Sequence, residues 1–340
     1  MKKSRLVALV VLVTAAVLVA ALALRFGPEK LCSKLTSPRL ALELSTALLI
    51  KVAEESQRTK ISVGIDPTRL DDALLALHDI GKRENSTAVY NFSIYHIYRD
   101  IWLERRKQSS APVLLELGPG DNIGQGVIFA MTGAKKYYGL DIFRAAQFYN
   151  RAHYQAVAAL LSTVAPKAIV SNVDSVFRID GDKVVFNTKK VEYLYPHQSY
   201  DIPLPPGSVD YAFSSSVFEH ISDPEATINA IFRVLPSGGL TAHHFDMRDH
   251  EDFSKPLEFL KLDTQTFKNR DVPLHRSTNR WRLSDFVAAF KKSGFRVDKV
   301  EVTSRLAVTE EMRQSLHPDF QKYSLEDLAA LSAIIVAEKP

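Results

Sequence analysis

The chain has 340 residues, room for one large domain or a core domain with an appendage. Its 46% hydrophobic and 24% charged content excludes wholesale disorder, a collagen repeat and a multi-span channel. Basic residues outnumber acidic ones by only four, 43 against 39, too few to argue for nucleic acid, and the single cysteine, Cys32, excludes an intrachain disulfide and a cysteine-based zinc site. Glycine gives a sharper signal. There are only 14, yet Gly118, Gly120, Gly124 and Gly126 fall within nine residues, which suggests that backbone comes close to something there.

In chain order, the first predicted element is the uncharged run Leu6 to Leu24, 19 residues long. A helix of that length spans roughly 28 Å against a hydrocarbon core of about 30 Å. Two readings stay open: a retained transmembrane anchor over residues 1–25, or a cleaved signal peptide with "ALA" at 21–23 as its cleavage site. Basic residues flank both ends, so charge does not set the orientation.

Residues 26–110 read as a helical extension. Helices are expected at about 38–56 and 67–80, the second opened by Pro67 and closed by Gly81. A third, Tyr90 to Arg105, places Tyr95, Ile97, Tyr98, Ile101 and Trp102 largely on one face. That stripe reads either as core-facing or as a lid over a flat ligand.

From 111 to 340 short apolar runs alternate with helices, the pattern of βαβ units in a parallel sheet. Strands are expected at 113–117, 136–140, 191–195, 209–214, 239–245, 296–303 and 331–337, with helices at about 123–132, 143–164, 224–234 and 283–293. Within the long connection 165–208, "FRIDGDKVVFNTKK" alternates like a hairpin around Gly181.

"VLLELGPGDNIGQG" is a strand followed by Glu116, Gly118, Pro119, Gly120 and a helix start. Such a loop lets a ligand lie against backbone and meet the free N–H groups of the helix. No Gly-Lys-Ser/Thr follows, so it is not a Walker A loop. A nicotinamide loop can be aligned to it, but Glu116 would face pyrophosphate; its position better suits a ligand bearing an ammonium group.

Here the chain resembles the class I S-adenosylmethionine-dependent methyltransferases. Their Glu/Asp-x-Gly-x-Gly-x-Gly signature is matched by Glu116, Gly118 and Gly120. Asn122, which tolerates left-handed backbone, replaces the third glycine. An acid after the second strand, here Asp141 beside Ile142, bonds the ribose hydroxyls in that family. The block from Ile202 to Leu240 resembles the family's later pattern, with Asp210, Ser214, Glu219, His220, Arg233 and Gly238–Gly239.

The resemblance implies a seven-stranded, mostly parallel, doubly wound sheet of order 3-2-1-4-5-7-6 with the last strand antiparallel. It implies S-adenosylmethionine as cofactor, Glu116 near the methionine amine and Ser214 beside the methionine portion. Asp201 falls near the place of an adenine-contacting acid, and a solvated turn aspartate is an equal reading. "DMRDH" and "NRWR" also resemble a bacterial subgroup with D-x-R-D-H and N-R-x-R segments.

An oxygen acceptor needs a base, and two candidates stand out, His220 and His244. His220 alternatively caps a helix start. His243, Asp246, Arg248 and Arg280 are the candidate acceptor-binding residues, with salt bridging to Asp246 or Asp249 as the plainer role of Arg280 or Arg282. Imidazoles and carboxylates at 243–250 also admit a metal site, but none is expected.

The function expected is a membrane-tethered methyltransferase facing the cytoplasm. It would methylate an oxygen of a saccharide, lipid-linked or other small acceptor. The alternatives are a catalytically silent scaffold of the same fold and an NAD(P)-dependent oxidoreductase.

Overall fold

The computed structural model describes residues 88–105, 111–120, 122–142, 151–164, 173–181, 183–270 and 278–340. The apolar run at 6–24, Cys32, the helices at 38–56 and 67–80 and the first part of the helix at 143–164 lie outside the described residues. Among the described residues no helix is long and apolar enough to cross a membrane. The chain divides into two compact units.

One unit is built on a seven-stranded sheet. Its strands are β1 (Val113–Leu117), β2 (Lys136–Leu140), β5 (Val191–Leu194), β6 (Tyr211–Ser215), β7 (Leu240–Asp246), β8 (Arg296–Arg305) and β9 (Ala330–Glu338). The spatial order is β5-β2-β1-β6-β7-β9-β8. The pairs β5–β2, β2–β1, β1–β6 and β6–β7 are parallel, and β9 runs antiparallel to both β7 and β8. Counted within the sheet this is 3-2-1-4-5-7-6 with the last strand reversed, as expected from the resemblance. The predicted strands agree with the observed ones within two residues at each end. Parallel strands covered on both faces are apolar almost throughout, so "VLLEL" and "YAFSS" announce themselves.

Helix α4 (Pro224–Val234) is set by its first turn: Pro224 needs no hydrogen-bond donor there, and the Asp223 carboxylate accepts from the Ala226 N–H. Helix α6 (Leu283–Lys292) begins at Arg282, whose N–H donates to the Asp285 carboxylate. It presents Phe286 and Phe290 inward, where they meet Phe218 and Phe245 in the core between sheet and helix. Truncating such a ring to alanine costs about 3–5 kcal/mol.

Helix α1 (Ala88–Arg105) contributes its Tyr98–Arg105 half to the same unit. Tyr98 stacks on Phe213 at 4.6 Å between ring centroids, its hydroxyl donating to the Ser214 carbonyl, and Trp102 stacks on Tyr211 at 5.6 Å. Tyr98 and Trp102 of the aromatic stripe therefore pack as core on β6.

The other unit contains α3 (Arg151–Val164) and a hairpin of β3 (Phe177–Asp180) and β4 (Lys183–Phe186), antiparallel about Gly181 at φ +58°. Tyr154 of α3 packs its ring 5.9 Å from Phe177 and 5.2 Å from Phe186.

Candidate active site

In open α/β sheets the ligand crevice lies at the carboxyl ends of the strands where the order reverses. Here β1 lies between β2 and β6, and a cleft of about 460 Å³ opens beyond these ends. Gly118 lines it after β1, Asp141 and Ile142 after β2, and Ser216, Val217 and His220 after β6. The stretch His197–Tyr200, beyond β5, closes another side.

The loop after β1 requires its glycines. Gly118 has φ +60°, and a Cβ there would meet the Val217 side chain at 2.7 Å. Gly120 has φ +74° with open space where a side chain would stand, and its N–H donates to the Asp141 carboxylate at 3.2 Å. Asn122 does not take left-handed backbone, contrary to the sequence expectation, since Ser216 is the only non-glycine with positive φ among the described residues. Its carboxamide oxygen instead accepts from the Gly124 N–H at 2.9 Å, at the start of α2 (Gly124–Met131). Asparagine serves here in an Asx turn, bonding the backbone two residues on, rather than as a glycine substitute. Pro119 lies against Gly139 of β2, where an added Cβ would meet its ring at 3.3 Å.

Glu116 is 1% exposed on β1 and accepts from Gln125 Nε2 and the Tyr137 hydroxyl, each at 2.5 Å. Burial pushes its carboxyl up to about 7; the bonds from Tyr137 and Gln125 oppose the shift, and the Asp141 charge adds to it. The close approach of α2 to β2 that permits these bonds needs Gly126, where a Cβ would fall 2.3 Å from the Tyr137 ring.

The side chains of two residues expected at the cofactor point away from the cleft lining. Ser214 is fully buried, its hydroxyl 2.7 Å from His243 Nδ1, and Ser216 takes the place at the cleft. Ser216 has φ 54°, its N–H donates to the His244 carbonyl and its hydroxyl is 3.1 Å from His244 Nδ1. Asp201 is a turn aspartate with its side chain 77% exposed, 4.0 Å from His197; the segment before it lines the cleft in its stead.

At the acceptor end His220 is exposed on the cleft wall at the end of the 3₁₀ turn Phe218–His220. His244 is partly buried, and burial lowers its pKa, with Asp246 opposing. His243 is not a substrate residue. It is 0% exposed, bonded by Ser214 and Thr241 and enclosed by Phe218, Phe245 and Phe290. Burial holds its pKa near 3, so it is a neutral core histidine. The strand alternation that separates His243 from His244 decides this.

Asp246 is held by a two-point bond from Arg248, at 2.7 and 2.5 Å, with His250 Nε2 3.6 Å away. Burial works to raise the Asp246 carboxyl, but Arg248 and His250 overcome it and hold it well below the usual range. Arg280 does not reach this end. It donates to the Leu262 carbonyl and the Thr264 hydroxyl and lies over the rings of Phe267 and Phe320. Nor does Arg282 pair with an aspartate there: it is fully buried and donates to the carbonyls of Met247, Leu328 and Ala330. Asp249 is taken by Arg270 instead.

The "NRWR" segment serves the site through Asn279, whose amide donates to the carbonyls of Phe218 and Ile221 and so fixes the turn that carries His220. Sequence reasoning missed His197 and Tyr200, and it met Ser216 and Glu219 only as members of the resembling block without giving either a role.

Residues 115–242 match the family model described as methyltransferase domain. No curated protein matches the chain. Among solved structures, the chain is similar to a putative methyltransferase from Bacillus halodurans at 14% identity and TM-score 0.42, covering 72% of this chain and 98% of that one. A SAM-dependent methyltransferase from Methanosarcina mazei matches at 17% identity and TM-score 0.41, covering 72% and 96%. A Haemonchus contortus phosphoethanolamine N-methyltransferase, complexed with phosphomonomethylethanolamine and S-adenosylhomocysteine, matches at 16% identity and TM-score 0.39, covering 76% and 58%. Residues 115–242 thus match a methyltransferase domain, and that match supports S-adenosylmethionine as its cofactor.

Proposed function

We propose that this chain transfers the methyl group of S-adenosylmethionine to an oxygen of a saccharide, lipid-linked or other small acceptor. The single observation that carries the reading is the cleft in which the positive-φ Gly118, the Asp141 carboxylate and His220 face one volume. The cofactor, when bound, supplies a methyl group made electrophilic by its sulfonium.

The chain's own residues bind, orient and manage a proton. Asp141, at the end of β2, accepts from the ribose hydroxyls. Ile142 and Tyr200, both exposed at the cleft, offer apolar surface to the base. Glu116, behind the Gly118 loop, attracts the methionine ammonium directly or through water. Placement of the acceptor in line with the methyl does most of the remaining work. His220, on the wall of the cleft, meets the acceptor's hydroxyl and eases loss of its proton. His244 stands one step behind, through Ser216. The uncharged run at 6–24 supplies a membrane tether with the catalytic domain on the cytoplasmic side, where the cofactor is made, and this favours an acceptor at the membrane.

Labelled S-adenosylmethionine tests the reading. With the full chain, label should enter the membrane fraction of an extract rather than the soluble fraction, and His220→Ala should slow transfer about 10²–10⁴-fold with cofactor affinity unchanged. Label in neither fraction, or a His220→Ala rate within threefold of the original, would contradict it.

A further inference from the structure

Among the described residues, neither "DMRDH" nor "NRWR" lines the cofactor cleft, yet both close on the turn Phe218–His220. From one side Asn279 donates its amide to the Phe218 and Ile221 carbonyls, and its backbone N–H donates to the Glu219 carbonyl. From the other side the His250 ring meets the His220 ring edge-on, 4.9 Å apart between centroids and inclined at 67°. The first contact holds the backbone of the turn and the second its side chain. Arg282 ties the two segments together, its Nη1 donating to the Met247 carbonyl at 2.6 Å in the middle of "DMRDH".

The spacing of "DMRDH" suits this task. Strand β7 ends on Asp246, and the chain turns so that His250, four residues on, brings its Nε2 to 3.6 Å from the Asp246 carboxylate. Arg248 holds that carboxylate at two points and lies over the ring of Phe253, which packs 5.2 Å from the His250 ring. Asp249 braces the turn: its carboxylate accepts from the Glu251 N–H and pairs with Arg270, and its own N–H donates to the Pro256 carbonyl. The Glu219 carboxyl also lies close to both imidazoles; burial pushes its pKa up, so it offers them a neutral group.

We propose that His250 is a positioning residue for methyl transfer: anchored by Asp246, it sets the His220 ring at the acceptor end of the cleft. The D-x-R-D-H and N-R-x-R segments then act as one clamp, the first on the ring of His220 and the second on its backbone. This rests on the reading of His220 as the group that takes the acceptor's proton. A base acts only within about 2.6–3.2 Å of the atom that gives up the proton, and a misplacement of about 1 Å costs on the order of 10²-fold. His250 itself moves no proton and touches neither acceptor nor cofactor.

The test is a double-mutant cycle on the full chain, read as label transferred from saturating S-adenosylmethionine into a membrane extract. His250→Ala should slow transfer roughly tenfold, about 1.4 kcal/mol, with the S-adenosylhomocysteine dissociation constant unchanged. In a His220→Ala background the same replacement should change the rate less than about twofold, because a residue that acts through another adds nothing once the other is gone. His250→Phe, which keeps a ring against His220 but gives up Asp246, should recover part of the rate. If His250→Ala no longer binds S-adenosylhomocysteine, His250→Gln takes its place in the cycle.

Equal slowing in both backgrounds, a His250→Ala rate within threefold of the original, or a His250→Phe rate no faster than that of His250→Ala overturns the proposal while leaving His220 as the base. A His220→Ala rate within threefold of the original overturns the base reading itself. Should no label transfer at all, the rings decide without turnover. In protein labelled with ¹³C at the histidine rings, the His220 signal, identified by its loss in His220→Ala, should move in His250→Ala, and an unmoved signal overturns the clamp.

Discussion

At the scale of single residues, Glu116 is the buried acid behind the Gly118 loop. Its carboxyl shifts from the usual 4.5 to about 7, chiefly through burial. The groups that face it are few: the neutral Tyr137 from β2 and Gln125 from α2 donate to it, and the charge of Asp141 repels it. A raised carboxyl pKa means that the folded chain holds a proton which the unfolded chain releases. The stability this provides is complete below about pH 4.5 and is lost as pH rises through about 7, a loss of about 3 kcal/mol.

Urea denaturation of the ligand-free chain from pH 4.5 to 7.5 should therefore show the unaltered protein falling relative to Glu116→Gln by that amount. Parallel pH profiles for the two would contradict it. Cofactor binding should act the other way, because an ammonium beside the carboxyl favours its ionised form.

His243 and Ser214 show where reasoning from residue type stops short. Both sit in segments with the right composition for a site, and both are turned into the core. The pleat sends alternate side chains of β6 and β7 to opposite faces, so Ser214 pairs with His243 inside while Ser216 pairs with His244 at the cleft. Pattern alone separates His243 from His244, but it does not say which face meets the ligand. Arg280 and Arg282 fail for a different reason. Their partners are mostly backbone carbonyls, which no side-chain motif announces.

At the scale of elements, the contact between α2 and β2 couples packing to chemistry. Gly126 lets the Tyr137 ring lie against the helix, and the Tyr137 hydroxyl then reaches Glu116. Gly126→Ala should cost about 1–3 kcal/mol, the usual cost of overpacking. Most of that cost should disappear in a Tyr137→Leu background, where the ring is absent, because residues in contact are not additive. Equal destabilisation in both backgrounds would place the strain elsewhere.

Elements were also the most legible feature of the sequence. The buried parallel strands read as apolar runs, and the hairpin about Gly181 alternates with period two. Helix α4 carries Asp-Pro at its start. The Asn122 expectation fails because asparagine serves both left-handed positions and Asx turns, and only the backbone decides between them.

At the scale of the whole molecule, the order of the sheet places the ends of β1, β2 and β6 around one cleft. That convergence is what turns a glycine cluster, an acid 21 residues beyond Gly120 and a histidine after β6 into one site. The family resemblance carried the strand order, which periodicity cannot supply, since the same alternation of strands and helices fits several doubly wound arrangements.

The most direct measurement is a calorimetric titration of the full chain with S-adenosylhomocysteine. Binding is expected, and Asp141→Ala should weaken it by about 1–3 kcal/mol, the scale of hydrogen bonds to a charged group. No heat at millimolar ligand, or an unchanged dissociation constant in Asp141→Ala, would contradict the assignment of this cleft to the cofactor.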